Sequence, residues 1–277
     1  MKSRLRALVR SIRTKRDFQA ARQKLMTPPS VSNDEKHLLK HLSLALHPKD
    51  EMYVRYMAEH YLNVGLSATR CIDAAIEGKG PIRTVLDLPC GYGRVMRFMK
   101  VRFPHAIFTV CELNPEAVQF CKDRLAAQEG VVSNPDLALI SISKKFDLIW
   151  CGSLATHLDE PRIQELLRFF YDHLEPEGVC VFTTQGERCA QRMEQNDYHY
   201  GLSLLAIESI LKDYRTTGFG YADYNNSPEY GITLVSREKM NAIASRVGSW
   251  SETLFIPKGW DNHQDVYAFT KSEIPAN

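Results

Sequence analysis

The sequence of 277 residues predicts an α/β fold in which a doubly wound, mainly parallel sheet is covered by helices on both faces. Three observations lead to this prediction. Apolar runs of strand length alternate with helical patterns from residue 83 onward. The first run ends in Asp87 and a tight turn that contains Gly91 and Gly93, and a helical pattern follows at once. A second run ends in another acid, Glu112, which lies 21 residues beyond Gly91.

Helical segments precede the alternating part of the chain. Helical patterns cover residues 34–46 and 49–77, and they are separated at His47-Pro48 because a proline disfavours helix in the residue before it. The segment Thr27-Pro-Pro-Ser30 separates them from the N-terminus, since consecutive prolines interrupt regular structure. We therefore divide the chain into a basic arm (1–30), a helical cap (31–80) and an α/β domain (81–277).

Strands and helices alternate in the middle of the chain. Asn114 and Asp159 are good helix N-caps, each with a proline in the first turn that follows, and Gly130 is expected to end a helix. The turn Glu175-Pro-Glu-Gly178 leads into the last strand of this part. The predicted strands are 83–88, 106–111, 131–133, 146–151 and 179–184, and the predicted helices are 92–101, 115–128 and one that begins after Asp159.

The regular alternation stops after Thr184. We predict an insertion over residues 185–235 that contains a helical piece, a short strand and half of the chain's 12 tyrosines. A helix and two closing strands follow, and Gly259-Trp-Asp-Asn-His263 joins the two strands. The predicted bounds are 203–213 and 231–235 within the insertion, 237–247 for the helix, and 252–257 and 265–271 for the strands.

Composition limits the classes of protein that fit the sequence. The seven cysteines are an odd number without Cys-x-x-Cys or Cys/His ligand spacing, so we predict neither a disulfide framework nor a metal site. No run of about 20 apolar residues occurs, so the sequence predicts no membrane-spanning helix. We expect a cytoplasmic protein. The sequence does not indicate the oligomeric state.

The N-terminal arm is strongly basic. Residues 1–26 carry nine Lys/Arg and a single acid, Asp17, although the net charge of the whole chain is only +2. Apolar residues recur in the arm at helical spacing, as in a helix that lies on an anionic membrane surface. Three interpretations stay open: peripheral contact with the inner face of a membrane, an organelle transit peptide, and a solvated or packed helix. Because the rest of the chain is acidic, we expect no nucleic-acid partner.

The turn after the first strand predicts a nucleoside-binding site. Glycine lets the backbone approach a ligand closely, and free N–H groups at the start of the next helix can donate hydrogen bonds. Glu112 is placed to accept hydrogen bonds from two ribose hydroxyls. A dinucleotide fingerprint requires a third glycine where Met96 stands, so the sequence disfavours a nicotinamide cofactor.

These motifs resemble those of class I S-adenosylmethionine-dependent methyltransferases over residues 50–271, and they are nearest to bacterial members encoded among glycan-assembly enzymes. The resemblance implies a Rossmann-like, seven-stranded sheet with an N-terminal helical extension and an insertion after the fifth strand. It also implies S-adenosyl-L-methionine as the cofactor. Pro89 departs from the family, which usually has a glycine there. The motifs are the turn after Asp87 and Asp147–Ser153, Thr156–Leu158, Leu174–Gly178, Gly220–Tyr224, Gly259–His263 and His263–Phe269.

The resemblance assigns cofactor-binding residues. Asp87 and the glycine turn are expected on the methionyl and ribose side, and Glu112 at the ribose hydroxyls. Leu113 and Asn114 would flank the adenine. Arg94 is expected to neutralise the carboxylate of the cofactor, with an arginine on the helix surface as the alternative. The predicted set is Asp87, Leu88, Cys90, Gly91, Gly93, Arg94, Glu112, Leu113, Asn114, Cys151 and Ser153.

His157 is the candidate catalytic base, because imidazole titrates near neutral pH and the residue follows the fourth strand at the predicted crevice. A histidine in such a turn also commonly caps or packs. The tyrosine-rich insertion suits a sugar acceptor, since rings stack on its C–H faces while polar groups bind its hydroxyls. We expect a small-molecule or glycan acceptor, and the predicted acceptor residues are Tyr221, Asp223, Tyr224, Tyr230 and His263.

The sequence therefore predicts an enzyme, an S-adenosylmethionine-dependent methyltransferase that O-methylates a sugar, a glycan or another small-molecule hydroxyl. The alternative is a non-catalytic protein that binds the same cofactor, or serves as a scaffold, in a glycan-assembly complex and is attached through its basic arm. Turnover of the cofactor to its homocysteine product distinguishes the two.

Overall fold

The structure, a computed structural model, describes residues 15–29, 31–54, 56–224 and 227–272, without the side chain of Pro228. Residues 1–14, which make up about half of the predicted basic arm, lie outside the described residues. None of the described helices is both long enough and apolar enough to cross a bilayer.

The N-terminal part of the described chain is helical. Residues 15–25 are helical and are labelled α1, and they are followed by α2 Asn33–His41 and α3 Ala58–Ala75. Ser32 begins α2, because its hydroxyl accepts from the backbone N–H of Glu35 while the Glu35 carboxylate accepts from the backbone N–H of Ser32.

The described residues between 42 and 57 form an irregular segment, which we call segment 42–57, so two predicted helices were too long. The helix predicted over 34–46 ends at His41, and the helix predicted over 49–77 begins only at Ala58. The carbonyls of Ser43 and Ala45 accept hydrogen bonds from the guanidinium of Arg97, at 3.0 and 2.8 Å. Because Arg97 satisfies these two carbonyls, the segment does not have to form a helix to provide them with N–H donors.

The central sheet has seven strands, as predicted, and a separate hairpin contributes two more. In chain order the strands are β1 Thr84–Asp87, β2 Ile107–Glu112, β3 Glu129–Val132, β4 Phe146–Cys151, β5 Leu174–Thr184, β6 Phe219–Tyr224, β7 Ser227–Val235, β8 Trp250–Trp260 and β9 Gln264–Lys271. The sheet order is β3-β2-β1-β4-β5-β9-β8. Strands β1 to β5 are parallel, and β9 runs antiparallel to both β5 and β8. The order reverses between β1 and β4, where open α/β sheets bind ligands.

Helices cover both faces of this sheet. Val85 and Leu86 are adjacent in β1 and point to opposite faces, so they belong to two different hydrophobic clusters. The cluster around Val85 includes side chains of α3, and the cluster around Leu86 lies on the other face. The remaining helices are α4 Met96–Arg102, α5 Pro115–Leu125, α6 Glu160–His173, α7 Glu187–Glu194, α8 Leu204–Thr217 and α9 Arg237–Ser245.

Local signals fixed the start of α5 but not its end. Asn114 caps the helix, because its side chain accepts from the backbone N–H of Glu116, and Pro115 follows it as predicted. The prediction that Gly130 ends this helix was wrong. The helix ends at Leu125 before Ala126, which has a φ of 59°, and Gly130 lies in β3. A Cβ atom on Gly130 would lie 2.4 Å from Cγ1 of Val118, so close packing explains this glycine.

The insertion is more regular than predicted. It contains α7, α8 and the β6–β7 hairpin, and β7 begins at Ser227, four residues before the predicted strand. Strand β6 was missed because it contains Gly220 and Asp223, which have low strand propensity. Pairing with β7 and packing under α8 stabilise it: a Cβ atom on Gly220 would lie 2.2 Å from the carbonyl oxygen of Ile210.

The β8–β9 hairpin joins the sheet to the N-terminal helices. Strand β8 extends to Trp260, beyond its predicted end at residue 257. The indole N–H of Trp260 donates to the carbonyl oxygen of Val64 in α3 at 3.0 Å, and the Asp261 N–H donates to the hydroxyl of Ser67 at 2.9 Å. The motif Gly259–His263 therefore docks α3 beside the carboxyl edge of the sheet.

Candidate functional site

The turn after β1 has the backbone shape that its glycines require. Gly91 and Gly93 have φ values of 49° and 73°, and the Leu88–Pro89 peptide bond is cis. No heavy atom lies within 4 Å of a Cβ built on Gly91, so this position faces open space. A Cβ on Gly93 would lie 2.2 Å from Cδ1 of Leu125, so this glycine packs closely against α5.

Asp87 lies below this turn and is almost completely buried, with 1% of its surface exposed. Its Oδ2 atom makes no hydrogen bond with any of the described residues. Burial, and then the charge of Glu112, raise the pKa of Asp87 well above the usual value. A buried carboxylate oxygen without a partner is costly, so it fits a ligand group that donates a hydrogen bond at this point.

Glu112 ends β2 and is held by the backbone on two sides. Its Oε2 accepts from the N–H of Gly91 at 3.0 Å, and its Oε1 accepts from the N–H of Asn114 at 3.3 Å. Each carboxylate oxygen retains a second lone pair. The carboxylate is therefore oriented across the glycine turn and can still accept hydrogen bonds from a diol.

The predicted adenine side lies next to Glu112. Leu113 is 54% exposed, and Asn114 donates a side-chain hydrogen bond to the hydroxyl of Tyr92 at 3.2 Å. The ring of Tyr92 is stacked on His47, with centroids 4.5 Å apart. The irregular segment 42–57 thus reaches this side of the crevice, which the sequence did not indicate.

Arg94 lies half-buried between two rings, those of Tyr61 in α3 and Trp260 in β8, at 6.0 and 5.6 Å from the ring centroids. Burial lowers the pKa of Arg94, and nearby charges, including Asp50 and Asp261, oppose that shift. Arg94 makes no side-chain hydrogen bond or ion pair within the described part of the chain. A desolvated guanidinium without a carboxylate partner favours binding of an anion.

The exit of β4 carries a polar network. Ser153 has a φ of 61°, its N–H donates to the Thr183 hydroxyl at 2.8 Å, and its own hydroxyl accepts from the Gln264 amide at 2.6 Å. Gln264, which the sequence analysis did not single out, also accepts from Thr183 at 2.6 Å. By contrast, Cys151 is buried in the hydrophobic core, as is Cys90 in the glycine turn.

The remaining five cysteines are buried as well. All seven are buried and free, as is common for cysteines that pack as small hydrophobic side chains. Burial raises the pKa of Cys71 and of Cys111 to about 11. Within the described residues, no group of three or more His, Cys, Asp or Glu side chains could hold a metal ion.

His157 ends a 3₁₀ turn, Ala155–His157, that follows β4. Its Nδ1 lies 2.8 Å from the carbonyl oxygen of Gly231 in β7, so this partner assigns the proton to Nδ1 and leaves a lone pair on Nε2. Burial lowers the pKa of His157, while the bond to Gly231 acts in the opposite direction. The side chain is thus held in the neutral form that a general base requires.

Aromatic side chains from the insertion surround His157 and continue to the β8–β9 turn. His157 stacks on Tyr230 with centroids 4.7 Å apart, and the hydroxyl of Tyr224 lies 3.4 Å from Nδ1 of His157. Gly201 packs against Tyr224, because a Cβ atom built on Gly201 would lie 3.4 Å from the ring of Tyr224. We refer to these rings together as the aromatic wall: His157, Tyr224, Tyr230, Tyr198, Tyr200 and His263.

The aromatic wall reaches the predicted cofactor site at one end. Burial raises the pKa of Tyr230, and the charge of Glu112 adds to that effect, so the two groups lie within electrostatic range of each other. At the other end Tyr200 stacks on His263, with centroids 5.7 Å apart. The ring contacts of the wall therefore extend from His157, which follows β4, to His263 in the β8–β9 turn.

Two of the predicted acceptor residues do not join this wall. Tyr221 donates a hydrogen bond to Asp223 at 2.6 Å, and within the described residues neither side chain makes a hydrogen bond or ring contact with the wall. Burial and the Asp223 hydrogen bond raise the pKa of Tyr221, and the charge of Asp159 also contributes. Tyr221 and Asp223 are thus bonded to each other rather than to the aromatic wall.

Arg97 is the most important residue that the sequence analysis missed. It is 1% exposed, and its guanidinium donates to the carbonyls of Gly93 and Tyr92 at 3.0 and 3.3 Å. It also contacts the hydroxyl of Tyr61 at 3.3 Å, and that hydroxyl donates to Asp50 at 2.7 Å. Together with its bonds to segment 42–57, these contacts attach the helical cap to the glycine turn. An arginine within an amphipathic helix carries no sequence signal for such a role.

Comparison with known proteins finds similarity to methyltransferases. Residues 86–180 match the sequence profile of the methyltransferase domain family. A malonyl-[acyl-carrier protein] O-methyltransferase from Bacillus cytotoxicus is 24% identical over 140 residues, which is 50% of this chain and 48% of that protein. The chain thus spans about half the length of the curated relatives that it matches.

Two solved structures have a similar fold. A S-adenosylmethionine-dependent methyltransferase from Clostridium acetobutylicum superposes with a TM-score of 0.53 and 14% identity, over 74% of this chain and 90% of that chain. Human N-acetylserotonin methyltransferase, in complex with SAM, has a TM-score of 0.52 and 14% identity, over 87% of this chain and 57% of that chain. At such identity the likeness shows the fold.

Proposed function

The chain carries a class I S-adenosylmethionine-dependent methyltransferase domain, and from this premise we propose that it O-methylates a hydroxyl of a sugar, a glycan or another small molecule. The observation that carries the proposal is the geometry at the carboxyl edge of the sheet. Glu112 is oriented across an open glycine turn, and the neutral His157 lies in the aromatic wall that extends away from it.

The residues of the crevice fit S-adenosylmethionine. The open space at Gly91 admits a ligand against the backbone, and the unpartnered Oδ2 of Asp87 can accept a hydrogen bond from it. The second lone pairs of Glu112 suit two ribose hydroxyls. Arg94, held between Tyr61 and Trp260, would bind the carboxylate of the amino-acid part.

The bound cofactor supplies a methyl group that the sulfonium charge already activates. The protein's own contribution is then alignment, exclusion of water and removal of one proton. Good alignment is worth up to roughly 7–11 kcal/mol in favourable intramolecular reactions. Proton removal by a positioned base commonly adds about 10²–10⁴-fold.

His157 is the residue that we assign to proton removal. Its Nδ1–H donates to the carbonyl of Gly231, which orients the ring and leaves Nε2 as the acceptor. Stacking on Tyr230 restricts the ring further. A hydroxyl acceptor that lies along the aromatic wall would give its proton to Nε2 as the oxygen attacks.

The acceptor is proposed to bind along the aromatic wall. Tyr224 and Tyr230 each present a ring face and a hydroxyl, which suits a sugar with both C–H faces and hydroxyls. The matched relatives are named for malonyl-[acyl-carrier protein], which presents a carboxyl oxygen rather than a hydroxyl. A carboxylate has no proton to lose, so dependence on His157 separates the two acceptor classes.

The test is methyl transfer from labelled S-adenosylmethionine to a panel of sugars and glycans, with His157→Ala beside the wild type. We expect turnover to fall by about 10²–10⁴-fold while affinity for S-adenosylhomocysteine stays within threefold. His173→Ala is the matched control, because Nδ1 of His173 also lies 2.8 Å from a carbonyl oxygen, that of Phe169 in α6. Unchanged turnover in His157→Ala contradicts its role as the base. Tight binding of the cofactor without turnover on any acceptor supports the non-catalytic alternative.

A further inference from the structure

We propose that the acceptor carries an anionic group, a carboxylate or a phosphate, and that Arg188 in α7 binds it at the His263 end of the aromatic wall. The proposal rests on the proposed function, since it concerns the acceptor of that same site. The proposal adds to that function the charge of the acceptor and the residue that recognises this charge.

Arg188 is placed at this end of the wall by the start of α7. The helix begins directly beyond β5, at Glu187, and Arg188 and Arg192 are four residues apart, so they share one face. Between them in sequence, Cys189 has its Sγ 3.7 Å from Nε2 of His263. The helix therefore contacts the wall where Tyr200 stacks on His263.

The two arginines differ in their partners. Arg192 forms an ion pair with Asp197 at 2.6 Å and covers the ring of Tyr198 at 4.9 Å, so its charge is compensated. Arg188 is half-buried and makes neither an ion pair nor a side-chain hydrogen bond within the part of the chain that the structure describes. It thus contributes one uncompensated positive charge.

The carboxylates around Arg188 already have partners. Glu187, its neighbour in α7, accepts from both terminal nitrogens of Arg215, at 2.6 and 3.0 Å. Asp197 is bound by Arg192, and Asp261 lies 3.7 Å from Nε2 of His60. Asp265 lies near the start of α7, and its Oδ1 accepts from the backbone N–H of Lys258 at 2.8 Å. None of these four acids forms an ion pair with Arg188 among the described residues.

His263, which lies beside α7, contributes a hydrogen-bond donor rather than a charge. Burial lowers the pKa of His263, and the charges of Arg192 and Arg188 lower it further, while Asp261 opposes them. The imidazole is thus neutral and adds no second positive charge, but it can donate one hydrogen bond. One free guanidinium beside a neutral donor is the arrangement that binds a single oxyanion.

The chemistry of the guanidinium selects the ligand class. Arg binds a carboxylate or a phosphate through parallel N–H···O bonds, whereas a neutral sugar hydroxyl offers no charge to match. Aromatic faces along the wall and a cation at its end together fit a sugar acid or a sugar phosphate. Both share the oxyanion that Arg188 would bind.

The experiment is calorimetric titration of the full chain, first with S-adenosylhomocysteine and then, on the saturated protein, with glucuronate, glucose-1-phosphate and glucose. We expect at least one anionic probe to bind about tenfold or more tightly than glucose. The better of the two probes identifies the oxyanion as carboxylate or phosphate. In Arg188→Met this preference should disappear, and in Arg188→Lys part of it should remain.

Arg168→Met is the matched control, because Arg168 is an exposed arginine on α6, and we expect it to keep the full preference. Equal affinity of glucose and both anions for the wild type, or an unchanged preference in Arg188→Met, would overturn the proposal. If Arg188→Met does not fold, the comparison of probes on the wild type still decides. Failure of the first titration, with S-adenosylhomocysteine, would instead contradict the proposed function, so the two failures are distinguishable.

Discussion

Replacement of Arg97 by methionine tests how the fold builds the glycine turn. The guanidinium donates to four backbone carbonyls, two in the turn (Tyr92 and Gly93) and two in segment 42–57 (Ser43 and Ala45). Methionine fills much of the same space but donates no hydrogen bond. The carbonyls of Tyr92, Ser43 and Ala45 then lose this donor, in a region where Arg97 itself is 1% exposed. The carbonyl of Gly93 keeps the backbone N–H of residue 97, at 3.2 Å.

The cost follows from these contacts. A buried polar group left without a partner costs about 1–3 kcal/mol, and water reaches the two carbonyls of segment 42–57 more readily than those of the turn. Breaking a buried charged network by removing one member typically costs about 3–5 kcal/mol. For a chain of this size we therefore expect the melting temperature to fall by roughly 6–15 °C.

The assay is thermal unfolding followed by circular dichroism, with and without S-adenosylhomocysteine. Arg102→Met is the control: it lies in the same helix, is 44% exposed and pairs with Asp73 at 2.8 Å, so its loss should cost less than about 1 kcal/mol. Because Arg97 also holds the turn, we expect weaker stabilisation by the ligand in Arg97→Met. A melting temperature within 2 °C of the wild type would refute the reasoning.

Three further predictions concern the site. Gly91→Ala meets no atom and should cost only about 1–2 kcal/mol for its positive φ. Gly93→Ala has the same backbone cost, and its Cβ would also lie 2.2 Å from Cδ1 of Leu125, so that side chain must shift and the melting temperature should fall further; thermal melts of both variants compare them. Because burial lowers the pKa of His157, the imidazole stays neutral to a lower pH than an ordinary histidine does. The turnover rate should therefore stay constant as the pH falls through the ordinary histidine pKa, and it should decrease only at still lower pH; a pH–rate profile checks this. Arg94→Met should weaken S-adenosylhomocysteine about tenfold or more but leave methylthioadenosine, which lacks the carboxylate, unaffected in parallel titrations.

The sheet could be predicted from the sequence because local signals and long-range packing agree there. Strands β1, β2 and β4 are apolar runs, buried on both faces as parallel strands require, and each lies within two residues of its predicted bounds. The capping residues Asn114 and Asp159 also begin their helices as predicted. For these elements, an apolar run or a capping residue was enough to locate the strand or the start of the helix.

The site could be predicted only where one chain segment forms it. Glu112 and the glycine turn lie close together because β1 and β2 are adjacent parallel strands, which the spacing implied. The contacts of Arg97 with Ser43 and of Gln264 with Ser153 join residues 54 and 111 positions apart. No pattern of hydrophobicity or capping encodes such pairs, since they depend on how distant elements pack.

The insertion shows the same limit on a larger scale. Tyr221, Tyr224 and Tyr230 were all predicted to bind the acceptor, but Tyr224 and Tyr230 join His157 while Tyr221 pairs with Asp223. The sequence predicted only the last part of β7, so it did not reveal the hairpin that positions these rings. The tyrosine-rich composition indicated an aromatic surface with hydroxyl groups. Which of these rings lie beside His157 depends on the pairing of β6 with β7, which the sequence did not reveal.

The measurement that tests the central claim most directly is calorimetric titration of S-adenosylhomocysteine into the wild type, Glu112→Gln and Glu116→Gln. Glu112 accepts from the N–H of Gly91 at 3.0 Å, and we predict that its neutral amide weakens binding by about 10–100-fold. Glu116 lies four residues further on, paired with Lys49 at 2.6 Å, and its replacement should leave the affinity unchanged. No measurable binding to the wild type, or equal binding to all three proteins, would contradict the account.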